Sequence, residues 1–373
     1  MKRAHKIRIY PNNEQRTLLE KHCGCARLAY NACLAQWNRD YENGINHNYF
    51  SIKKWFNGIK EENYPFIYEV SKWAPEAAIA DLGNAFTKFF NEGAEHPTFH
   101  KKGIHDSFRI DGSVVIIDSK FLCLPKGLRL RMAEELRYSP SKVYNVTISK
   151  TAGRWFASIQ CEVPEGENQA EGAVGIDLGI SQHAVLSDGT VYENIQLEKK
   201  YRKQLARAQR ALHRKHKGSK NRRKAQARLA TVYWRMANKR QDRLHKFTSA
   251  VTRQYATVCL EDLNVKGMLS NHKLARAVSD VAFGEIRRQF EYKAKQVLYV
   301  DRFEATTKPC CICGKMHEMP LHTRRMVCDC GNDIDRDLNA AINILRLAKP
   351  KGKPVERPKA SEKQESNSKH KFA

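Results

Sequence analysis

Residues 310–345, CCICGKMHEMPLHTRRMVCDCGNDIDRDLNAAINIL, decide how this chain is read. Cys310 and Cys313 form a C-x2-C pair closed by Gly314, and Cys328 and Cys330 form a C-x-C pair closed by Gly331. Four thiolates in two such pairs are the donor set of a tetrahedral zinc site, with Zn–S near ~2.3 Å. The second pair is one residue shorter than the usual C-x2-C, which leaves Cys311 as an alternative ligand and a metal-free loop as the other alternative. The expected role is structural, because a polar loop that cannot bury a core of its own is tied down by its metal. His317 and His322 read as ordinary solvent-facing histidines. The run from Asp335 to Leu347 then reads as a final helix whose N-terminal end, carrying Asp335 and Asp337, favours anions. A cysteine knuckle feeding an acidic helix start suggests a structural metal that positions a carboxylate.

Two further acids stand in similar places. Asp177 lies in the apolar run Val174-Gly-Ile-Asp-Leu-Gly179, where desolvating a carboxylate is costly unless it binds something. Gly175 and Gly179 leave room there for a ligand or a backbone to come close. Glu261 ends the run Thr257-Val-Cys-Leu, where a buried strand reaches the surface. Alone, Asp337 is also explained as a capping acid and Glu261 as a strand-end ion-pair partner. Together they are the set that a two-metal nuclease needs: about three carboxylates on divalent ions roughly 3.5–4 Å apart. Hard cations such as Mg²⁺ prefer oxygen ligands of this kind.

Around these acids, strands interleave with helices from about residue 171 onward, as an α/β unit requires. His183–Ser187 reads as a second strand, Leu197–Gln254 as a long helical stretch, Phe283–Val297 as an amphipathic helix and Val300–Glu304 as a short strand. Upstream, residues 93–170 hold short β-rich runs separated by turns, including Ser113–Asp118, which suit a small barrel or sandwich. The alternating strand His5–Tyr10 would most simply pair into that barrel, making the helical residues 14–92 an insertion within it. The tail 350–373 has almost nothing to bury and is expected to be disordered.

With Lys+Arg 66 against Asp+Glu 40, the net charge of +26 points to a polyanionic partner, nucleic acid first. The charge is concentrated between Lys199 and Lys246, where only Asp242 opposes the basic residues. Apolar positions keep helical spacing on both sides of Gly218-Ser219, so this stretch reads as a helical hairpin with one docked face and a cationic remainder. A solvated face mixes signs, so phosphate contact is the better reading, with Arg207, Arg210, Arg214, Lys215, Arg222 and Arg223 as candidates. No run approaches eighteen apolar residues and the start has no apolar core, so no membrane span or secretory signal is expected. The scattered cysteines, including Cys23, Cys161 and Cys259, suit free thiols in a reducing cytoplasm.

GIDLG, the strand-end LEDL and CxxCG…CG…DRDLNAAINIL, in this order, resemble the TnpB family of transposon-encoded, RNA-guided DNA nucleases, relatives of the type V CRISPR effectors. KIRIYPNNEQRTLLEKHCGCARLAYN, HPTFHKKGIHDSFRI, NVTISKTAGRWFASIQCE and VAFGEIRRQFEYKAK carry the likeness over nearly the whole chain. The resemblance implies an α/β RuvC (RNase H-like) nuclease domain with an inserted zinc knuckle, plus a β-barrel wedge domain carrying an inserted helical recognition lobe. On that basis 1–13 is a wedge strand, 14–92 the recognition lobe and 93–170 the wedge barrel. The nuclease domain takes 171–304, with the basic hairpin at 197–254, the zinc insertion 305–332 and the final helix 333–349. The family pattern puts the third metal ligand on the second Asp of DRD, giving Asp177, Glu261 and Asp337 as catalytic ligands of Mg²⁺ or Mn²⁺. Zn²⁺ would sit on Cys310, Cys313, Cys328 and Cys330, and the hairpin would lie against a guide–target duplex.

The implied function is that of an insertion-sequence endonuclease that cuts double-stranded DNA next to a short adjacent motif by two-metal hydrolysis. Guide RNA from the element's own flank would select the target by base pairing. The expected particle is a monomeric ribonucleoprotein in a prokaryotic cytoplasm, nucleoid-associated when on DNA, with no membrane partner. The alternative in the same family is a nuclease-inactive RNA-guided repressor, which loss of one acid would signal, and all three are present. A guide-independent zinc protein or transposase is a third class, but no HUH-like pattern with a Tyr or Ser nucleophile occurs.

Overall fold

The computed structural model describes residues 2–137, 139–164, 169–320 and 322–349, so the tail expected to be disordered lies outside the described residues. The chain divides into two compact units, residues 1–167 with 208–234, and residues 168–207 with 235–373.

The first unit opens with strand β1 (Lys2–Ile9), followed by helices α1 (Asn13–Glu42), α2 (Tyr49–Asn63) and α3 (Trp73–Glu92). Strands β2 (Ser107–Asp111), β3 (Ile116–Asp118), β4 (Phe121–Leu124), β5 (Leu128–Arg131), β6 (Lys142–Thr151) and β7 (Arg154–Glu162) come next. Helix α1 starts where Asn12 and Gln15 cap each other reciprocally, and Asn48 and Ser51 do the same for α2. β1 pairs antiparallel with β7 from Lys2↔Glu162 to Ile9↔Trp155, giving the sheet order β1-β7-β6-β2. A second antiparallel sheet, β3-β4-β5, shares the core of Ile7, Ile9, Leu122, Leu130, Val146 and Ile159. A separate core of Leu34, Trp37, Ile52, Phe56, Leu82 and Phe86 joins the three helices. Residues 113 and 114 of the expected strand Ser113–Asp118 belong instead to a 3-10 turn, Gly112–Val114. Gly112 there presses on Val143, whose carbonyl oxygen a Cβ would approach to 2.0 Å.

The second unit holds β8 (Ala173–Asp177), β9 (Gln182–Leu186) and β10 (Val191–Glu193); helices α4 (Leu197–His213) and α5 (Lys220–Gln254) come next, their residues 208–213 and 220–234 falling in the first unit. Then follow β11 (Thr257–Glu261), α6 (Val265–Ser270), α7 (Ala275–Val281), α8 (Phe283–Lys293), β12 (Gln296–Val300), β13 (Arg325–Val327), β14 (Asp333–Asp335) and α9 (Arg336–Leu347). The five-stranded sheet runs β10-β9-β8-β11-β12, with the β8–β11 and β11–β12 pairings parallel and the β10–β9 and β9–β8 pairings antiparallel. The apolar runs of β8 and β11 are buried on both faces, as parallel strands under helices must be. On one face Val174, Ile176, Val258 and Leu260 meet Leu244, Phe247 and Val251 of α5 and Ile286 and Phe290 of α8. On the other, Cys259 and Val300 meet Ile344 of α9. Burying a side chain such as Phe290 contributes about 1.5–3 kcal/mol.

The helix expected to reach Val297 stops at Lys293, and the strand expected at 300–304 is β12, Gln296–Val300. The unbroken run Val297-Leu-Tyr-Val300 pairs with β11 over its whole length, so strand pairing overrides the continuing helical spacing. All eleven cysteines are free thiols. Among the described residues no helix is long and apolar enough to cross a membrane.

Candidate functional site

The period-2 geometry of a strand sorts the acids before any contact is considered. Val174 and Ile176 face α5, so Gly175 and Asp177 face the α9 side. By the same alternation Glu261 shares the face of Cys259, which packs against α9. The parallel register Thr257↔Ala173 to Cys259↔Gly175, carried two residues further, sets Glu261 level with Asp177 on the adjoining strand. Helix α9 reaches this face because residue 175 is glycine. A Cβ there would lie 2.1 Å from the Ala341 carbonyl oxygen and 2.7 Å from the Leu345 amide nitrogen. From that touching point Asp177 is two strand residues on, about 6.6 Å. Asp337 is one helical turn back from Ala341, about 6 Å. Strand and helix thus bring the two acids to the same level.

What the acids bind distinguishes them from their neighbours. Asp335 caps α9, its Oδ1 accepting from the Asp337 amide at 2.9 Å and from the Leu338 amide at 3.1 Å. Asp262 is held by Arg287 at 2.9 Å and Arg302 at 2.6 Å. The side chains of Asp177 and Asp337 have no hydrogen bond or ion pair among the described residues. Glu261 has no ion pair there either, and its Oε1 accepts from Thr306 Oγ1 at 2.5 Å. Burial first, then the charges of Glu261 and Asp337, raise the Asp177 carboxyl to about 7, with Arg336 opposing. Asp337 is raised by burial and Asp335, against Arg324 and Arg336. The acids do not form a cluster with all donor atoms within 4.8 Å, which among the described residues the four cysteines do. Ligands flanking two cations about 3.5–4 Å apart are not required to crowd that closely.

The knuckle between β12 and α9 is compact. Cys310 Sγ lies 3.7 Å from Cys330 Sγ, and Cys313 Sγ 3.5 Å from Cys328 Sγ. Each pair closes on a backbone turn, Gly314 N donating to Cys310 O and Gly331 N to Cys328 O, with positive φ of 76° and 87° at the two glycines. Only glycine takes that conformation freely, so the short C-x-C half is accommodated at Gly331. Although burial opposes it, the Cys310 thiol falls to about 6, because the Cys313 and Ile312 amides and Asn332 donate to its sulfur. Four converging sulfurs fit zinc. Cys311 is outside the set, its backbone N–H donating to Asn339 Oδ1 at 2.8 Å.

Asn339 and Asn343, both buried and one turn apart on α9, anchor the knuckle and were not anticipated from the sequence. Asn339 Nδ2 donates to Pro309 O at 2.9 Å, and Asn343 Nδ2 to Thr306 O and Pro309 O at 2.9 and 2.8 Å. The signal was present: two amides at i, i+4 on the apolar face of the helix. Through Thr306 this anchoring reaches Glu261. His317 is half-buried rather than solvent-facing, with a buried Nε2 that has no hydrogen-bond partner among the described residues.

Of the six basic candidates, Arg207, Arg210, Arg214, Lys215 and Arg223 are exposed on α4, the turn and α5. Arg222 is half-buried, its Nη1 donating to Leu212 O at 3.2 Å and Lys215 O at 2.9 Å, which closes the hairpin.

A family model described as a probable transposase (OrfB_IS605) matches residues 158–272, and its companion helix-turn-helix model matches residues 1–46. In the latter span the chain forms β1 and one uninterrupted helix, α1. A Cas12f1-like TNB domain model matches residues 283–344. A Streptomyces pristinaespiralis protein named "Putative RNA-guided DNA endonuclease" is 37% identical, covering 92% of this chain and 89% of that one. Escherichia coli "Putative RNA-guided DNA endonuclease InsQ" is 32% identical, covering 92% and 91%. The chain belongs to the TnpB family. A solved Cas12f1 chain, from a complex with sgRNA and target DNA, shares the fold at a TM-score of 0.57 and 13% identity, covering 92% of this chain and 98% of that one.

Proposed function

We propose that the protein is an RNA-guided endonuclease of an insertion-sequence element that cuts double-stranded DNA beside a short adjacent motif. Asp177, Glu261 and Asp337 would hold Mg²⁺ or Mn²⁺. The observation that carries this reading is the contrast among neighbouring acids. Asp262 and Asp335 are satisfied by arginines and a helix start, while half-buried Asp177 and Asp337 have no partner in the described chain. Carboxylates kept in that state are expected where the partner is a cation. Divalent ions bound there would lower the pKa of water and neutralise charge on the scissile phosphate. The chain's own contribution is placement: the sheet register aligns Asp177 with Glu261, Gly175 admits α9, and Thr306 orients Glu261.

In this reading Zn²⁺ on the four cysteines fixes the span 305–332 against α9. The exposed face of the hairpin contacts phosphates, and the first unit serves as wedge and recognition lobe. Target choice is delegated to guide pairing.

The test is to co-express the chain with the DNA flanking its own gene and sequence the RNA that co-purifies. The same preparation is assayed for Mg²⁺-dependent cleavage of a matching target beside Asp177→Ala. A defined RNA with cleavage lost in the variant is the expected result. Intact DNA binding without any specific RNA would overturn the guided reading, and bound RNA without cleavage would favour the repressor.

A further inference from the structure

The antiparallel edge of the second unit and the bases of α4 and α5 line a cavity of about 570 Å³ that shares no residue with the three acids. One wall comes from an irregularity in β9. Tyr192 pairs with Ala184 and Glu193 with Gln182, so His183 is the extra residue of a β-bulge. A bulge re-aims its side chain, and His183 turns to the α5 side, its ring meeting that of Phe247 edge-on at 5.4 Å.

His183 is 1% exposed and receives Arg243 Nη2 on its Nδ1 at 2.8 Å. A guanidinium only donates, so the imidazole accepts and is neutral. Burial and the Arg243 charge hold its pKa down to about 3. Arg243 Nη1 donates to Asn194 Oδ1 at 3.2 Å, while its buried Nε has no hydrogen-bond partner among the described residues. Among the described residues no carboxylate pairs with Arg243, since nearby Asp280 is taken by Arg240 at 2.9 Å and Asp242 by Lys246 at 2.8 Å. A half-buried cation held only by neutral acceptors is expensive unless an anion joins it. The cavity lining carries four cationic side chains (Lys200, Lys239, Arg243 and Lys246) against Glu193 and Asp242. The rest is largely apolar, with Tyr192 and Ile195 on the strand side.

We propose that this cavity binds a single nucleotide, its phosphate at Arg243 and its base on the Tyr192–Ile195 wall. An anionic ligand with an apolar, aromatic-stacking end matches both halves of the lining, and the volume is that of a small-ligand site. The nucleotide could be free or a unit of a bound strand. The inference does not rest on the nuclease reading, because it concerns the protein without guide, target or divalent metal.

Calorimetric titration of the chelator-treated protein tests it, using adenosine 5′-monophosphate, its 2′-deoxy form, adenosine and inorganic phosphate. At 0.3 M NaCl the screening length is about 6 Å, which suppresses diffuse surface binding. The expected result is saturable one-to-one binding of the monophosphate, tighter than adenosine or phosphate alone. Arg243→Gln should weaken it at least about tenfold. Exposed Arg253→Gln should leave it unchanged, and Tyr192→Ala should erase the advantage of the nucleotide over phosphate. If Arg243→Gln lowers the melting temperature, Arg243→Lys, which keeps the charge and loses the fork, should fall between parent and Gln variant. Tighter binding of the ribonucleotide would assign the site to RNA and the reverse to DNA, and either supports the proposal. Absence of saturable binding, or equal loss in the Arg243 and Arg253 variants, overturns it.

Discussion

Replacing Asp177 by Asn should stabilise the metal-free protein while abolishing the proposed cleavage of DNA. Burial and the neighbouring acids raise this carboxyl from an ordinary 3.8 to about 7. At about 1.4 kcal/mol per pKa unit, a gap of about 3 units makes the ionised side chain cost the folded state about 4 kcal/mol at most. The folded value is the higher one, so the favourable state is the protonated one. Its contribution is intact below about pH 4 and is lost as pH rises to 7, above which the penalty is constant. Asn is neutral throughout. Urea midpoints in EDTA should therefore separate the two proteins by about 1–2 kcal/mol at pH 5 and about 4 kcal/mol at pH 8, Asn being the more stable. Mg²⁺ should then narrow the gap at pH 8 by stabilising only the parent, by about 2.7 kcal/mol at a hundredfold excess over Kd. An Asn variant no more stable than the parent at pH 8 without metal, or a gap that ignores pH, would refute the electrostatic account of the site.

Three more outcomes follow from the same geometry. Cys328→Ser should lose most of the one zinc per chain expected by mass spectrometry under native conditions, and make residues 305–332 the first to be cut by protease. Unchanged metal content would remove the zinc reading. Asn339→Ala should lower stability by about 1–3 kcal/mol, because it leaves the buried Cys311 amide unpaired and the Pro309 carbonyl held by Asn343 alone; thermal or urea melts measure it. Neutralising Arg207, Arg210, Arg214, Lys215 and Arg223 together should flatten the log–log salt dependence of nucleic-acid affinity by about 0.7–0.9 per lost contact. Adding Arg222→Gln should instead lower the melting temperature, since that side chain closes the hairpin.

The acids and cysteines were legible in the sequence because each breaks a local rule. Asp177 interrupts an apolar strand, Glu261 ends one, and cysteines crowd a polar loop. Their convergence was not legible, because it depends on the parallel register of β8 with β11 and on the close approach at Gly175, both long-range facts. The choice between Asp335 and Asp337 came from family pattern; the structure adds a physical reason, since Asp335 is occupied as the helix cap. Asn339 and Asn343 resembled ordinary helix polar residues until their partners at Pro309 and Thr306 were seen. The boundary of β12 was misplaced because Val297-Leu-Tyr-Val300 satisfies helical and strand patterns alike, and only its pairing with β11 decides. The bulge at His183 has no local marker, since the extra residue exists only relative to β10.

On the proposed reading, the order of the ligands along the chain would also govern when the protein becomes dangerous to DNA. Asp177 and Glu261 lie on neighbouring strands, but Asp337 arrives 160 residues after Asp177, on a helix that closes the sheet's second face. At about 5–20 residues per second, a ribosome takes about 8–30 s to cover that interval. During it the basic hairpin, if it contacts phosphates as proposed, would be available while the last carboxylate is still lacking. Nascent chains stalled before Asp337 should retain RNA and leave DNA intact in the cleavage assay, which would make the final helix the arming step of synthesis.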